Sequence, residues 1–107
     1  MIGRLMFALS TVLALLVMPT TTIAATSAVT IRGFAFEPAR LTISAGTQVT
    51  WTNRDDEPHI VVSAGAQFAS SPALDTDDSY AATFAKPGTY VYFCSIHPHM
   101  VGTIIVK

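Results

Sequence analysis

One cysteine, Cys94, stands alone in the 107 residues, so no disulfide can form within the chain. Charge is scarce as well, at 12% of residues. From residue 26 onward, five basic side chains (Arg32, Arg40, Arg54, Lys86, Lys107) face seven acidic ones, a formal charge of −2. That balance gives nucleic acid no basic footing, and none is expected as a partner. Histidine occurs three times, at His59, His97 and His99, and three of the four methionines lie within the first 18 residues, leaving Met100 by itself. Helical spacing is missing too: beyond the N-terminal stretch no segment repeats apolar residues at i, i+3 and i+4 over three turns. The longest apolar run, Leu5 to Met18, falls short of the roughly 20 residues that span a bilayer.

That run has a purpose of its own. Arg4 precedes it, Pro19 follows, and Thr20-Thr21-Thr22-Ile23-Ala24-Ala25 supplies the small residues of a cleavage region. Residues 1–25 are therefore expected to be a secretory signal peptide, cut after Ala24 or Ala25. Residues 26–107 then form one small domain, exported to the periplasm and not inserted in the membrane after cleavage. No cysteine follows the leader that could carry a lipid anchor. In an oxidising compartment a free thiol needs a reason to exist. Metal ligation supplies one, because a coordinating thiol is deprotonated and shielded.

The domain reads as all-β. Val29 and Ile31 alternate with Thr30 and Arg32, Gly33 breaks the phase, and Phe34 and Phe36 resume until Pro38. Leu41 and Ile43 follow, and Ala45-Gly46 turns into Thr47–Thr52, where Val49 and Trp51 share one face. After the polar stretch 53–58 comes His59-Ile60-Val61-Val62. Residues 63–79 are small, polar and irregular, with one short strand expected near Gln67-Phe68. Tyr80, Ala82 and Phe84 alternate again, Lys86-Pro87-Gly88 is a turn, and Tyr90–Cys94 and Thr103–Val106 complete the set. Seven or eight short strands predict a two-sheet Greek-key β-sandwich, with Phe34, Phe36, Trp51 and Phe93 as core.

Between the last two strands, Cys94, His97 and Met100 stand three residues apart each time. A thiolate, an imidazole and a thioether make a soft donor set, which favours copper and tolerates both of its common oxidation states. A trigonal site needs a second imidazole, and His59 is the one candidate outside this loop; within the loop His97 keeps two residues on each side between Cys94 and Met100, whereas His99 abuts Met100 and would crowd the same sphere. The expected metal site is His59, Cys94, His97 and Met100, with Cys94 and the two imidazoles in plane and Met100 as a long axial contact.

Cys94-Ser95-Ile96-His97-Pro98-His99-Met100, with Trp51-Thr52-Asn53-Arg54, Pro58-His59 and Tyr90-Val91-Tyr92-Phe93-Cys94, resembles the cupredoxins, and among them most the amicyanin group, with plastocyanin and pseudoazurin as relatives. The resemblance covers about Val29 to Lys107. It departs at Ile60, where the family usually has Asn, at His99 between the last two ligands, and at Asp55-Asp56-Glu57. It implies a type 1 copper protein that shuttles single electrons and turns over no substrate, a monomer serving redox proteins such as a c-type cytochrome or an amine dehydrogenase. It further implies that Asn53 ties the two ligand-bearing loops near Cys94. Docking is expected on an apolar patch around His97 built from Pro58, Pro98 and Met100, with Asp55, Asp56 and Glu57 as an acidic rim. The competing reading is a periplasmic copper carrier or resistance protein. Such carriers tend to have exposed Met or His tracts, which this chain lacks. An enzyme fragment of the multicopper oxidase type would need further His clusters.

Overall fold

The computed structural model describes Gly3, residues 6–19 and residues 25–107. Arg4, Leu5 and Thr20–Ala24, which include the charge of the expected leader and most of its cleavage region, lie outside the described residues. Residues 6–19 have no regular secondary structure, and their large apolar side chains are exposed. Among the described residues no helix is long and apolar enough to cross a membrane.

Eight strands form the rest: β1 (Thr26–Ile31), β2 (Phe36–Glu37), β3 (Arg40–Ile43), β4 (Thr47–Asn53), β5 (Val61–Ser63), β6 (Ser79–Phe84), β7 (Gly88–Cys94) and β8 (Val101–Val106). They make two four-stranded sheets, ordered β2-β1-β4-β6 and β3-β8-β7-β5. The all-β sandwich expected from the alternation is what forms, with mixed sheets: β1 pairs parallel to β4 and β3 parallel to β8. The parallel pairs follow from the route of the chain. After β2 it crosses to the second sheet as β3 and returns as β4, so β4 can run alongside β1 in the same direction.

Period-two alternation decides what is buried. Strand β4 turns Thr47, Val49, Trp51 and Asn53 inward, β7 turns Tyr92 and Cys94, and β8 turns Gly102, Ile104 and Val106. Trp51 is the centre of the core. Its ring stacks on Phe68 (5.9 Å) and Tyr80 (6.0 Å) and meets Tyr92 edge-on at 5.3 Å. Tyr92 in turn lies over Gly102, where an added Cβ would fall inside van der Waals contact with the Tyr92 ring and hydroxyl. The aromatic stack thus requires a residue without a side chain on β8. Burial pushes the Tyr92 phenol up to about 12. The Trp51 N–H opposes this weakly but lies outside hydrogen-bond geometry, and neither Trp51 Nε1 nor the Tyr92 hydroxyl has a partner.

Three sequence expectations are corrected here. No strand forms at Gln67-Phe68, because Phe68 turns in to stack on Trp51 instead of pairing. Phe34 does not resume a strand. Arg32 and Ala35 exchange backbone hydrogen bonds around Gly33 and Phe34, whose φ angles are +62° and +56°, and the Phe34 ring remains 42% exposed. Phe93 is only half-buried, since the inward positions of β7 belong to its neighbours Tyr92 and Cys94.

Candidate metal centre

Cys94 is the last inward residue of β7, fully buried and opposite Val61 of β5. The chain then makes a tight loop: the Met100 N–H donates to the His97 carbonyl (2.9 Å) and the Cys94 N–H to the Met100 carbonyl (3.1 Å). This closure returns the chain into β8 beside β7, with Val101 opposite Phe93. Met100 is buried at the base of the loop, His97 is half-buried, and Pro98 and His99 are exposed.

His59 arrives from the other side. It precedes β5 and exchanges two backbone hydrogen bonds with Leu74. The segment 71–74 of the long irregular connection continues this edge, because Val61 and Ser71 are joined by their backbones and by the Ser71 hydroxyl (2.8 Å). The connection therefore covers the open edge of the sheet and seals His59 at 0% exposure.

These placements bring three donors together. Cys94 Sγ lies 3.7 Å from His59 Nδ1 and 3.8 Å from His97 Nδ1, and the donor atoms of His59, Cys94 and His97 all fall within 4.8 Å of one another. His99 does not join this group. An ion bonded at about 2.3 Å to sulfur and about 2.0 Å to nitrogen would subtend S–metal–N angles of roughly 120° at these separations, the trigonal value. One thiolate and two imidazoles fit a single copper ion in size and in softness. The Ile60 N–H donates to Cys94 Sγ at 3.4 Å, which ties the sulfur to the His59 side of the site.

Asp55 has a place the sequence reading did not give it. It is no rim residue: its side chain is only 11% exposed, and its Oδ2 accepts from His59 Nε2 at 2.9 Å. With Nε2 so engaged, Nδ1 is the nitrogen left facing Cys94. Gly33 and Phe34 donate their N–H groups to the same carboxylate at 2.7 and 2.9 Å. Burial alone would raise the Asp55 carboxyl, and the Phe34 and Gly33 N–H groups, then the His59 ring, more than offset it, so the group lies below its ordinary range.

Asn53 also differs from expectation. It donates to the carbonyls of Glu57 (2.8 Å) and Leu74 (2.9 Å) and accepts from the Asp55 N–H (2.9 Å). It thus braces the His59 loop against residue 74 and makes no hydrogen bond to the 94–100 loop. Met100, at 2% exposure, cannot belong to a docking surface; Phe34 and Ile96, at 42% and 47%, are the large apolar side chains exposed in its place. The Phe34 ring meets both imidazoles edge-on, His59 at 5.5 Å and His97 at 5.0 Å.

Known proteins carry the same framework. A chloroplastic plastocyanin of Tetradesmus obliquus is 43% identical over 84 residues, covering 67% of this chain and 58% of that protein. Amicyanin-alpha of Methylorubrum extorquens is 34% identical over 93 residues, covering 78% of this chain and 74% of that protein. Among solved structures, a novel purple cupredoxin from Nitrosopumilus maritimus superposes with a TM-score of 0.72 at 34% identity, over 76% of this chain and 99% of that one. The family model of the cupredoxin-like domain matches residues 5–106. A mixed β-sandwich with a thiolate and two imidazoles gathered at one end, matched along nearly its whole length, belongs to the cupredoxin-like family.

Proposed function

We propose that the chain is a periplasmic blue copper protein that passes single electrons between redox partners. The observation that carries this reading is the convergence of His59 Nδ1, Cys94 Sγ and His97 Nδ1 at one end of the sandwich. His59, Cys94 and His97 would hold the ion, and Met100, from the base of the same loop, would offer a further sulfur donor. Copper bound here supplies a Cu(II)/Cu(I) couple; the chain itself turns over no substrate. Its residues contribute position and dryness: His59 and Cys94 are sealed from water, the Ile60 N–H ties the Cys94 sulfur to the His59 side, and the ladder between β5 and β7 keeps the two sides of the site together. A site that both oxidation states accept with little movement lowers the reorganisation that each transfer requires.

Residues 1–25 act as the leader, which supports export to the periplasm, and residues 26–107 form the mature domain, a monomer. His97 is the ligand nearest solvent, and Phe34, Ile96 and Pro98 surround it as an apolar landing surface for a redox protein such as a c-type cytochrome or an amine dehydrogenase. The test is the visible spectrum of the mature protein after one equivalent of Cu(II). An intense thiolate-to-copper charge-transfer band that bleaches on reduction and returns on oxidation is expected. Copper bound without that band would overturn the electron-carrier reading in favour of a copper carrier.

A further inference from the structure

We propose that Asp55 is the positioning residue for both imidazoles, holding His59 by a direct hydrogen bond and His97 through the ring of Phe34. Every polar atom of Asp55 is engaged. Its N–H donates to Asn53 Oδ1 and its carbonyl accepts from the Thr76 hydroxyl (2.6 Å), which fixes the backbone. Its carboxylate takes the N–H groups of Gly33 and Phe34 and the His59 ring.

Gly33 and Phe34 both have positive φ. Glycine adopts that conformation freely, whereas for phenylalanine it is disfavoured and persists only where the surroundings impose it. Two successive left-handed residues aim their N–H groups to one side, the arrangement that binds an anion. The Asp55 carboxylate is that anion. By stabilising the turn it sets the Phe34 ring across the site, where it packs on His59 and His97 at nearly right angles, 82° and 83°. On its other side the same carboxylate requires a proton on His59 Nε2, so that Nδ1 presents its lone pair to the site. One side chain thereby orients a buried imidazole and a half-exposed one that lie on different loops. The inference deepens the copper-site reading and rests on it only for the redox consequence: a carboxylate on the ligand imidazole makes it a stronger donor and lowers the reduction potential.

The test uses the mature protein without metal, so that it stands apart from the copper reading. Nitrogen-15 NMR of the imidazoles, recorded at a pH high enough that both are neutral, is expected to show His59 as a single Nε2–H tautomer. Asp55→Asn, whose amide cannot accept from all three donors, is expected to give a tautomer mixture at His59 and faster ring motion at His97. Phe34→Ala is expected to free His97 while leaving the His59 tautomer unchanged, and Asp55→Glu to restore part of the His59 order. Unchanged His97 dynamics in Phe34→Ala would overturn the relay, and an unchanged His59 tautomer in Asp55→Asn would overturn the direct role. Should Asp55→Asn fail to fold, the wild-type tautomer and Phe34→Ala decide the matter. In the copper-loaded protein, Asp55→Asn is expected to raise the reduction potential. A wild type that never develops the charge-transfer band would remove the copper reading and leave the NMR result intact.

Discussion

The two imidazoles of the site reach Cys94 from nearly equal distances and share the Phe34 contact, yet differ in burial and in what tethers them. His59 is at 0% exposure, hydrogen-bonded through Nε2, and tied by its backbone to Leu74; His97 is half-buried on the six-residue loop between β7 and β8, its Nδ1 turned to Cys94 and its ring edge-on to Phe34. The inner side of the centre is therefore built by the sandwich and the outer side by a loop over it. Such a division suits an electron carrier. The ligand set must not relax between oxidation states, and yet one ligand must come close to a partner.

Glycine substitutions break this comparison most completely. His97→Gly and His59→Gly each remove one of the two imidazoles that face Cys94, and each is expected to abolish the charge-transfer band. Free imidazole should then distinguish them. A gap at His97 opens toward solvent and is expected to take up the added ligand and recover the band. A gap at His59 lies behind the Leu74 edge and the Asp55 loop, and is expected to stay dark at the same concentration. Titrating both copper-loaded variants with imidazole measures the difference, and equal recovery would show that the inner wall is as open as the outer.

The donor grouping was legible because its residues are rare: with one cysteine and three histidines, few combinations were available, and the spacing about Cys94 selected among them. Asp55 was not legible. A carboxylate four residues before a histidine in a polar loop looks the same whether it faces water or folds under the ring, and the choice is made by the N–H groups of Gly33 and Phe34, more than 20 residues away in sequence. Phe34 was misread for a related reason. Its alternation with Phe36 imitates a strand, while its positive φ is imposed by a tertiary contact that alternation does not encode. The long connection 63–79 hid its function likewise, since Ser71 and Leu74 pair with the sheet edge through backbone groups that every residue has.

A smaller effect separates the inner face from the outer face of β8. Gly102 points inward beneath Tyr92, and Val101 points outward at 50% exposure. Gly102→Ala forces a methyl into a ring that is itself enclosed by Trp51 and Phe36. The overpacking is expected to cost about 3 kcal/mol, which for a domain of this size lowers the melting temperature by roughly 10–20 °C. Val101→Ala next to it should cost no more than about 0.5 kcal/mol. Thermal unfolding of the two metal-free variants gives the answer, and a Gly102→Ala protein as stable as Val101→Ala would mean that Tyr92 can move.

The subtlest difference concerns proton affinity. The Tyr92 phenol ionises near 10 when the chain is unfolded and at about 12 when folded, because burial penalises the charged form. Between those values the unfolded chain gives up its proton first. The stability is thus fully present below pH 10 and falls as pH rises toward 12, by up to ~3 kcal/mol for two pKa units. Tyr92→Phe removes this loss. It should cost little near neutrality, because the hydroxyl it deletes has no hydrogen-bond partner. Urea unfolding of the metal-free proteins at pH 8 and pH 11 is expected to show near-equal midpoints at the lower pH and a clear advantage for Tyr92→Phe at the higher one. Parallel decline of both proteins would place the alkaline sensitivity in a group other than the Tyr92 phenol.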